Sequence, residues 1–181
     1  MKGPDWNAWI KSEAKCKSWL DNYIKKNMIK KGGLTSSLYL KKASHNLDFA
    51  NWLKEKHKKE IPDLFGEERF YDWAINAYYY VFYHSSLALL SLKGYSSKSH
   101  YATLCFIIYH YYHKTRHLKK EDIGLMHQSI NKEDIEMIAK TKSLRERASY
   151  DVSALFEEKL VENAKNNAVY FFNKIKRIAE E

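Results

Sequence analysis

The sequence predicts an all-α protein, an up-and-down bundle of about five to six helices with an extra helix at its N-terminus. Three observations predict it. Apolar residues recur at three- and four-residue spacing along most of the 181 residues. Two prolines and six glycines are all that punctuate the chain, so long elements are expected. No stretch alternates apolar and polar residues with the two-residue period of a half-buried strand. The length is that of about one domain, and a hydrophobic content of 45% is enough to build a core.

The first helix is expected over 5–30, where Trp6, Trp9, Ile10, Trp19, Leu20, Tyr23, Ile24 and Met28 keep helical spacing. Pro4 suits its first turn, and Gly32-Gly33 stop it. A second helix is expected over 36–58, with Tyr39, Ala43, Leu47, Ala50 and Leu53 as its buried stripe and Ser36 or Ser37 as cap. Residues 60–66, with Pro62 and Gly66, read as a loop. The third helix, 67–93, is apolar on nearly every side between Ala74 and Leu92 and is therefore the central buried one. Gly94 ends it, and Tyr95-Ser96-Ser97 read as a loop. Further helices are expected over 98–114, briefly within 115–131, over 132–149, and over 156–179. The chain thus divides into a basic accessory helix at 1–33 and a helical bundle at 34–181.

The net charge is +9, and residues 1–33 carry eight Lys against Asp5, Glu13 and Asp21. That balance favours an anionic partner such as RNA, DNA, an acidic protein or a lipid surface. Cys16 and Cys105 lie far apart with no CxxC spacing, so a reducing cytoplasmic setting is expected in place of a disulfide framework. The N-terminus lacks a signal-peptide core, and the richest apolar run, 101–112, is too short and polar for a membrane span.

Several constellations could carry chemistry. Lys114, Arg116, Lys119 and Lys120 follow directly on Tyr109, Tyr111 and Tyr112. Cations for phosphates and aromatic faces for bases are the ingredients of single-strand binding. His110, His113 and His117 would line one face if the helix continued that far, but a structural zinc needs four ligands, and no metal site is expected. His84 and His100 are the histidines available for acid–base work, the first in the apolar central helix and the second at a helix start. There is no Gly-rich phosphate loop, nucleophile elbow or HExxH pattern, and no cofactor is implied.

Three segments carry a family resemblance: Ala77-Tyr78-Tyr79-Tyr80-Val81-Phe82-Tyr83 running on to Gly94-Tyr95, Ser97-Lys98-Ser99-His100-Tyr101-Ala102-Thr103, and Leu144-Arg145-Glu146-Arg147-Ala148-Ser149-Tyr150-Asp151-Val152. In this order, with a long final helix after them, they resemble the HEPN family over roughly residues 36–179. The resemblance implies a HEPN-like helical bundle that forms a homodimer, often beside a nucleotidyltransferase-type antitoxin. It also implies metal-independent ribonuclease chemistry, with an Arg five to seven residues before a His. Arg145 matches that Arg, with the polar Glu146 after it, and Arg147 adds a second cation for RNA. The His position holds Tyr150, and no His lies between 128 and 181. A tyrosine with an ordinary pKa of about 10 is a poor base at neutral pH. Tyr150 is also the candidate for modification with AMP, as the resemblance implies for a tyrosine beside this motif, and His100 is the fallback for proton transfer. The expectation is a toxin-like protein that binds or cleaves RNA. The alternative is a catalytically silent module that binds a nucleotidyltransferase or another protein.

Overall fold

Burial arranges the helices around a single one of them. The structure, a computed structural model, describes residues 5–66, 69–130 and 150–181. In chain order the elements are α1 (Trp6–Lys11), α2 (Glu13–Lys25), β1 (Ile29–Lys31), α3 (Ser36–Lys56), α4 (Glu60–Phe65), α5 (Tyr71–Leu92), β2 (Tyr95–Ser97), α6 (His100–Ile107, prolonged by a π-helical turn Ile108–Lys114), α7 (Lys120–Ile130) and α8 (Tyr150–Glu180). The protein is an all-α bundle with one small β-ribbon. Among the described residues no helix is long and apolar enough to cross a membrane.

The apolar α5 is the central helix, as its composition requires. It is buried along its length, and Leu87, Ala88, Leu89 and Leu90 are enclosed in succession. Its most extensive partner is α3, followed by α8. Buried alanines on both sides, Ala43 and Ala50 of α3 and Ala74, Ala77 and Ala88 of α5, allow the two backbones to approach closely. α3 runs against α5, bringing the Tyr78 hydroxyl 2.8 Å from Asn51 Oδ1. α8 runs with α5, from the ion pair of Glu162 with Lys54 through the stacked rings of Phe171 and Phe82 to Glu181 beside His117.

α7 is fastened to α8 through one buried carboxylate. Asp122, 1% exposed, accepts hydrogen bonds from Lys174 Nζ (2.6 Å), the Tyr170 hydroxyl (2.9 Å) and the backbone N–H of Lys119 (2.6 Å). Burial works against the Lys174 charge, but the hydrogen bond to Asp122 and its negative charge, with Tyr170 adding, together outweigh it and hold the ammonium above its ordinary range.

Four expected elements take a different form. The helix over 5–30 is two helices, because Ser12 adopts extended geometry, ends α1 and caps α2 by accepting from Lys15 N–H at 3.3 Å. The break turns Trp9 into the core at 1% exposure. Residues 29–31, placed at the end of that helix and beyond, and residues 95–97, read as a loop, form an antiparallel ribbon in the register Ile29↔Ser97, Lys30↔Ser96, Lys31↔Tyr95. The loop at 60–66 is a short helix with Pro62 in its first turn, where a missing N–H costs nothing, and Gly66 at positive φ as its stop. The last helix begins at Tyr150, six residues earlier than its periodicity suggests. The helix expected over 132–149 lies outside the described residues.

Residues 5–33 share the core of the bundle. Trp9, Cys16, Leu20, Tyr23 and Ile29 belong to the same buried cluster as α5 and α6. Cys16 and Cys105 meet with their sulfurs 3.9 Å apart, each thiol within reach of the other residue's carbonyl oxygen (3.5 and 3.4 Å). Both are free and buried, and the contact with Cys16 together with burial pushes the Cys105 thiol far up.

Candidate nucleic-acid interface

The basic run predicted at 114–120 lies where α6 ends, and the way α6 ends determines its form. From Ile108 the helix widens by one residue per turn, so that Thr115 N–H bonds to His110 O at 3.1 Å. The chain then leaves through Arg116, a non-glycine residue at φ 60°, and Leu118 N–H returns to Tyr111 O at 3.0 Å. A left-handed arginine costs about 1 kcal/mol, so its surroundings hold it there.

The turn sets cations over aromatic rings. Lys114 Nζ lies 5.3 Å from the centre of the Tyr109 ring, and Arg116 Cζ lies 5.9 Å from that of Tyr112. Lys114 also pairs with Glu13 at 2.5 Å. The hydrogen bond from Lys114 holds the Glu13 carboxyl below its usual range, and the same bond raises the lysine. Lys114, Arg116, Lys119 and Lys120 are all exposed, with Tyr109 and Tyr112 half-buried beneath the first two. The structure therefore brings Tyr109 and Tyr112 together with the basic residues that the sequence placed beside them, while Tyr111 is buried and its hydroxyl donates to the Leu89 carbonyl oxygen. Glu13 was not foreseen, because it lies about a hundred residues away in sequence and carries no motif.

The three histidines of this region do not converge. His110 packs on Phe106 at 4.3 Å between ring centres, and burial, with Lys93 and Lys114 adding, depresses its pKa. His113 Nε2 lies 2.8 Å from the Trp9 carbonyl oxygen. His117 is beyond the helix end, 3.3 Å from a carboxylate oxygen of Glu181. Their expected common face is lost because the π-helical turn changes the register and Lys114 ends the helix. Among the described residues no group of three His, Cys, Asp or Glu side chains is placed to hold a metal ion.

His100 sits at the opposite end of α6, about 20 Å away at the usual rise per residue. The Tyr79 hydroxyl lies 3.0 Å from its Nε2 and 3.2 Å from its Nδ1, and the Tyr83 ring stands edge-on at 4.8 Å. Burial, with Tyr80 and Tyr83 adding, pushes Tyr79 up to about 12, so this hydroxyl keeps its proton at neutral pH. His100 is half-buried in the seam between α5 and α6. His84, on α5, has its pKa depressed by burial and then by Lys42.

Of the residues carried by the HEPN resemblance, Arg145 and Arg147 lie outside the described residues. Tyr150 is the first residue of α8, and its side chain also lies outside them. α8 spans about 45 Å, and its far end meets the basic turn through Glu181 and His117. One chain therefore does not bring the start of α8 to Lys114 and Arg116. The chain matches no protein-family model, no curated protein and no solved structure.

Proposed function

We propose that the protein binds single-stranded RNA through the basic, aromatic turn at the end of α6, acting as a HEPN-type protein. The observation that carries this reading is the seating of Lys114 and Arg116 over Tyr109 and Tyr112, with Arg116 held in a left-handed conformation. Exposed cations attract phosphates, and tyrosine faces stack on unpaired bases in a sequence-tolerant way. Lys119 and Lys120 extend the charge along the strand. Fluorescence anisotropy with a labelled single-stranded RNA tests the reading. Binding should weaken steeply as potassium chloride is raised, and binding indifferent to salt would remove the electrostatic account.

Cleavage is the catalytic extension of this reading. Arg145 would neutralise the scissile phosphate, and Tyr150, or His100 as fallback, would handle the proton. Because the start of α8 and the basic turn lie far apart in one chain, an RNA touching both would run along the bundle or across a homodimer. A ribonuclease assay comparing the native chain with Arg145→Ala tests this step, and equal activity in both would remove Arg145 from it.

A second reading, a module that binds a protein partner, is favoured by exposed aromatics on α3 and α5. Phe49 and Trp52 stack on α3 at 6.0 Å, and Trp73 and Tyr80 lie two turns apart on α5; Trp52 and Trp73 are 54% and 61% exposed. The partner would be a second copy or a nucleotidyltransferase-type protein. Sedimentation of the native chain and of Trp52→Ala/Trp73→Ala separates the two: a native dimer that the variant loses identifies the second copy.

A further inference from the structure

Tyr39 is only 8% exposed, yet its hydroxyl has no hydrogen-bond partner among the described residues. Buried tyrosine hydroxyls usually find one. In this molecule the buried Tyr78 bonds to Asn51 and Tyr111 to the Leu89 carbonyl oxygen, while the buried Tyr23 also lacks a partner among the described residues. Unlike Tyr23, Tyr39 lines a cleft of about 580 Å³.

The cleft forms where the β-ribbon meets the first turns of α3 and α6. Lys30 and Ser96 face each other across the ribbon, and Lys98 follows β2 directly. Neither lysine has a carboxylate partner among the described residues, and no acidic residue lines the cleft. The Ser96 hydroxyl is likewise without a partner among the described residues. Met28 and Leu34 give an apolar wall. The walls close on each other at Gly33, whose φ is +124°: a Cβ there would lie 2.7 Å from Ser96 Cβ and 3.8 Å from the Tyr39 hydroxyl. Thr35 and Ser99 cap α3 and α6 at the rim, so both helices present their positive ends on this side.

We infer that this cleft binds a small phosphorylated organic molecule. Its phosphate lies between Lys30 and Lys98 and accepts hydrogen bonds from the Tyr39 and Ser96 hydroxyls, and its organic part rests on Met28 and Leu34. Two cations and two neutral donors suit a dianion with several terminal oxygens. The volume is that of a site for a small organic ligand and exceeds what a bare phosphate needs. The site does not depend on the RNA reading, since none of the basic residues at 114–120 lines it.

Isothermal titration of the full chain with phenyl phosphate and with inorganic phosphate tests the inference. Phenyl phosphate should bind about tenfold more tightly than inorganic phosphate, because its ring gains the apolar wall. Lys30→Ala and Lys98→Ala should each weaken it about tenfold, and Tyr39→Phe about three- to tenfold, at unchanged far-UV circular dichroism. Arg116→Ala should leave it unchanged. Absence of phenyl phosphate binding at millimolar concentration, or undiminished binding in the lysine and Tyr39 variants, would overturn the inference. Equal affinity for the two probes would reduce the cleft to a bare anion site. A 5′-phosphorylated RNA that binds more tightly than its 5′-hydroxyl form, with the gain lost in Lys30→Ala/Lys98→Ala, would replace the small molecule by an RNA end.

Discussion

At its first turn α6 sets His100 between Tyr79 and Tyr83; at its last it sets His113, Lys114 and Arg116 beside Tyr109 and Tyr112. Both ends combine aromatic rings with nitrogen bases, and burial makes them different. At the first end the rings close around the imidazole, and burial raises the tyrosines, so their hydroxyls keep their protons. At the last end the cations stay in water, resting on ring faces at little desolvation cost. The first arrangement fastens α6 to α5, and the second leaves charge and aromatic surface available to an anionic polymer. The same residue types thus serve the fold at one end and, on the function proposed above, recognition at the other.

The largest effect should come from removing the charge at the last turn. Replacing Lys114, Arg116, Lys119 and Lys120 together by Ala should lower affinity for single-stranded RNA about 100-fold at low salt and flatten its salt dependence by about three units of slope. Stability in urea should change by less than about 1 kcal/mol, since these are surface positions. Anisotropy titrations at several salt concentrations measure the first quantity. Undiminished RNA binding in this variant would erase the distinction between the two ends.

His100→Ala should do the opposite. It removes the ring from the α5–α6 seam and deprives the half-buried Tyr79 hydroxyl of this contact, a loss of about 2 kcal/mol in urea denaturation. RNA affinity at neutral pH should stay within about twofold. A stability loss near zero would instead free His100 for chemistry and return it to the list of proton-transfer groups.

Acidification should weaken the fold through histidines that it keeps neutral. Burial depresses His57, His84 and His110, with Lys42 adding at His84, and Lys93 and Lys114 at His110. His57 shows the geometry: its Nε2 accepts the Phe70 N–H at 3.0 Å, while Nδ1 donates to the Leu53 carbonyl oxygen at 2.7 Å. Protonating Nε2 would remove that acceptor. Since these folded-state pKa values lie below the unfolded value of about 6.5, the stabilisation is complete above that pH and is lost as pH falls through the folded values. Melting temperature should therefore drop as pH is lowered from 7 towards 5, and His57→Gln should blunt the drop. A melting temperature flat over this range would show that none of the three is held neutral by the fold.

How much of this was legible in the sequence follows from the range of each signal. Periodicity over twenty residues revealed α3 and α5, and the apolar run from Ala74 to Leu92 marked the central helix. The basic–aromatic turn was legible because its members are neighbours in the chain. Ser12 was harder: apolar spacing continues across it, and the break follows from the burial of Trp9, whose carbonyl oxygen lies beside His113. Three-residue strands are too short to show a period, so the ribbon at 29–31 and 95–97 had no signature beyond the nearby glycines. Tyr39 was rightly placed on the buried stripe of α3, but only the fold shows that its hydroxyl opens on a lysine-lined cleft. The pairing of Glu13 with Lys114 had no local cue at all.

The smallest effect concerns the backbone of Arg116 and needs two variants to isolate it. Arg116→Ala removes the guanidinium from the Tyr112 ring but keeps a Cβ at φ 60°. Arg116→Gly removes both. The lost cation–π contact, about 0.5–1 kcal/mol at an exposed site, is common to the two and cancels in their difference. What remains is the strain of a side chain in the left-handed region, set against the greater freedom of glycine in the unfolded chain. Arg116→Gly should therefore be more stable than Arg116→Ala by about 0.5–1 kcal/mol in urea, while both bind RNA with the same reduced affinity. Equal stability of the two variants would mean that position 116 is not held left-handed. The exit of the chain from the π-helical turn would then not be what presents this arginine, and the last end of α6 would lose the built geometry that sets it apart from an ordinary solvated lysine-rich loop.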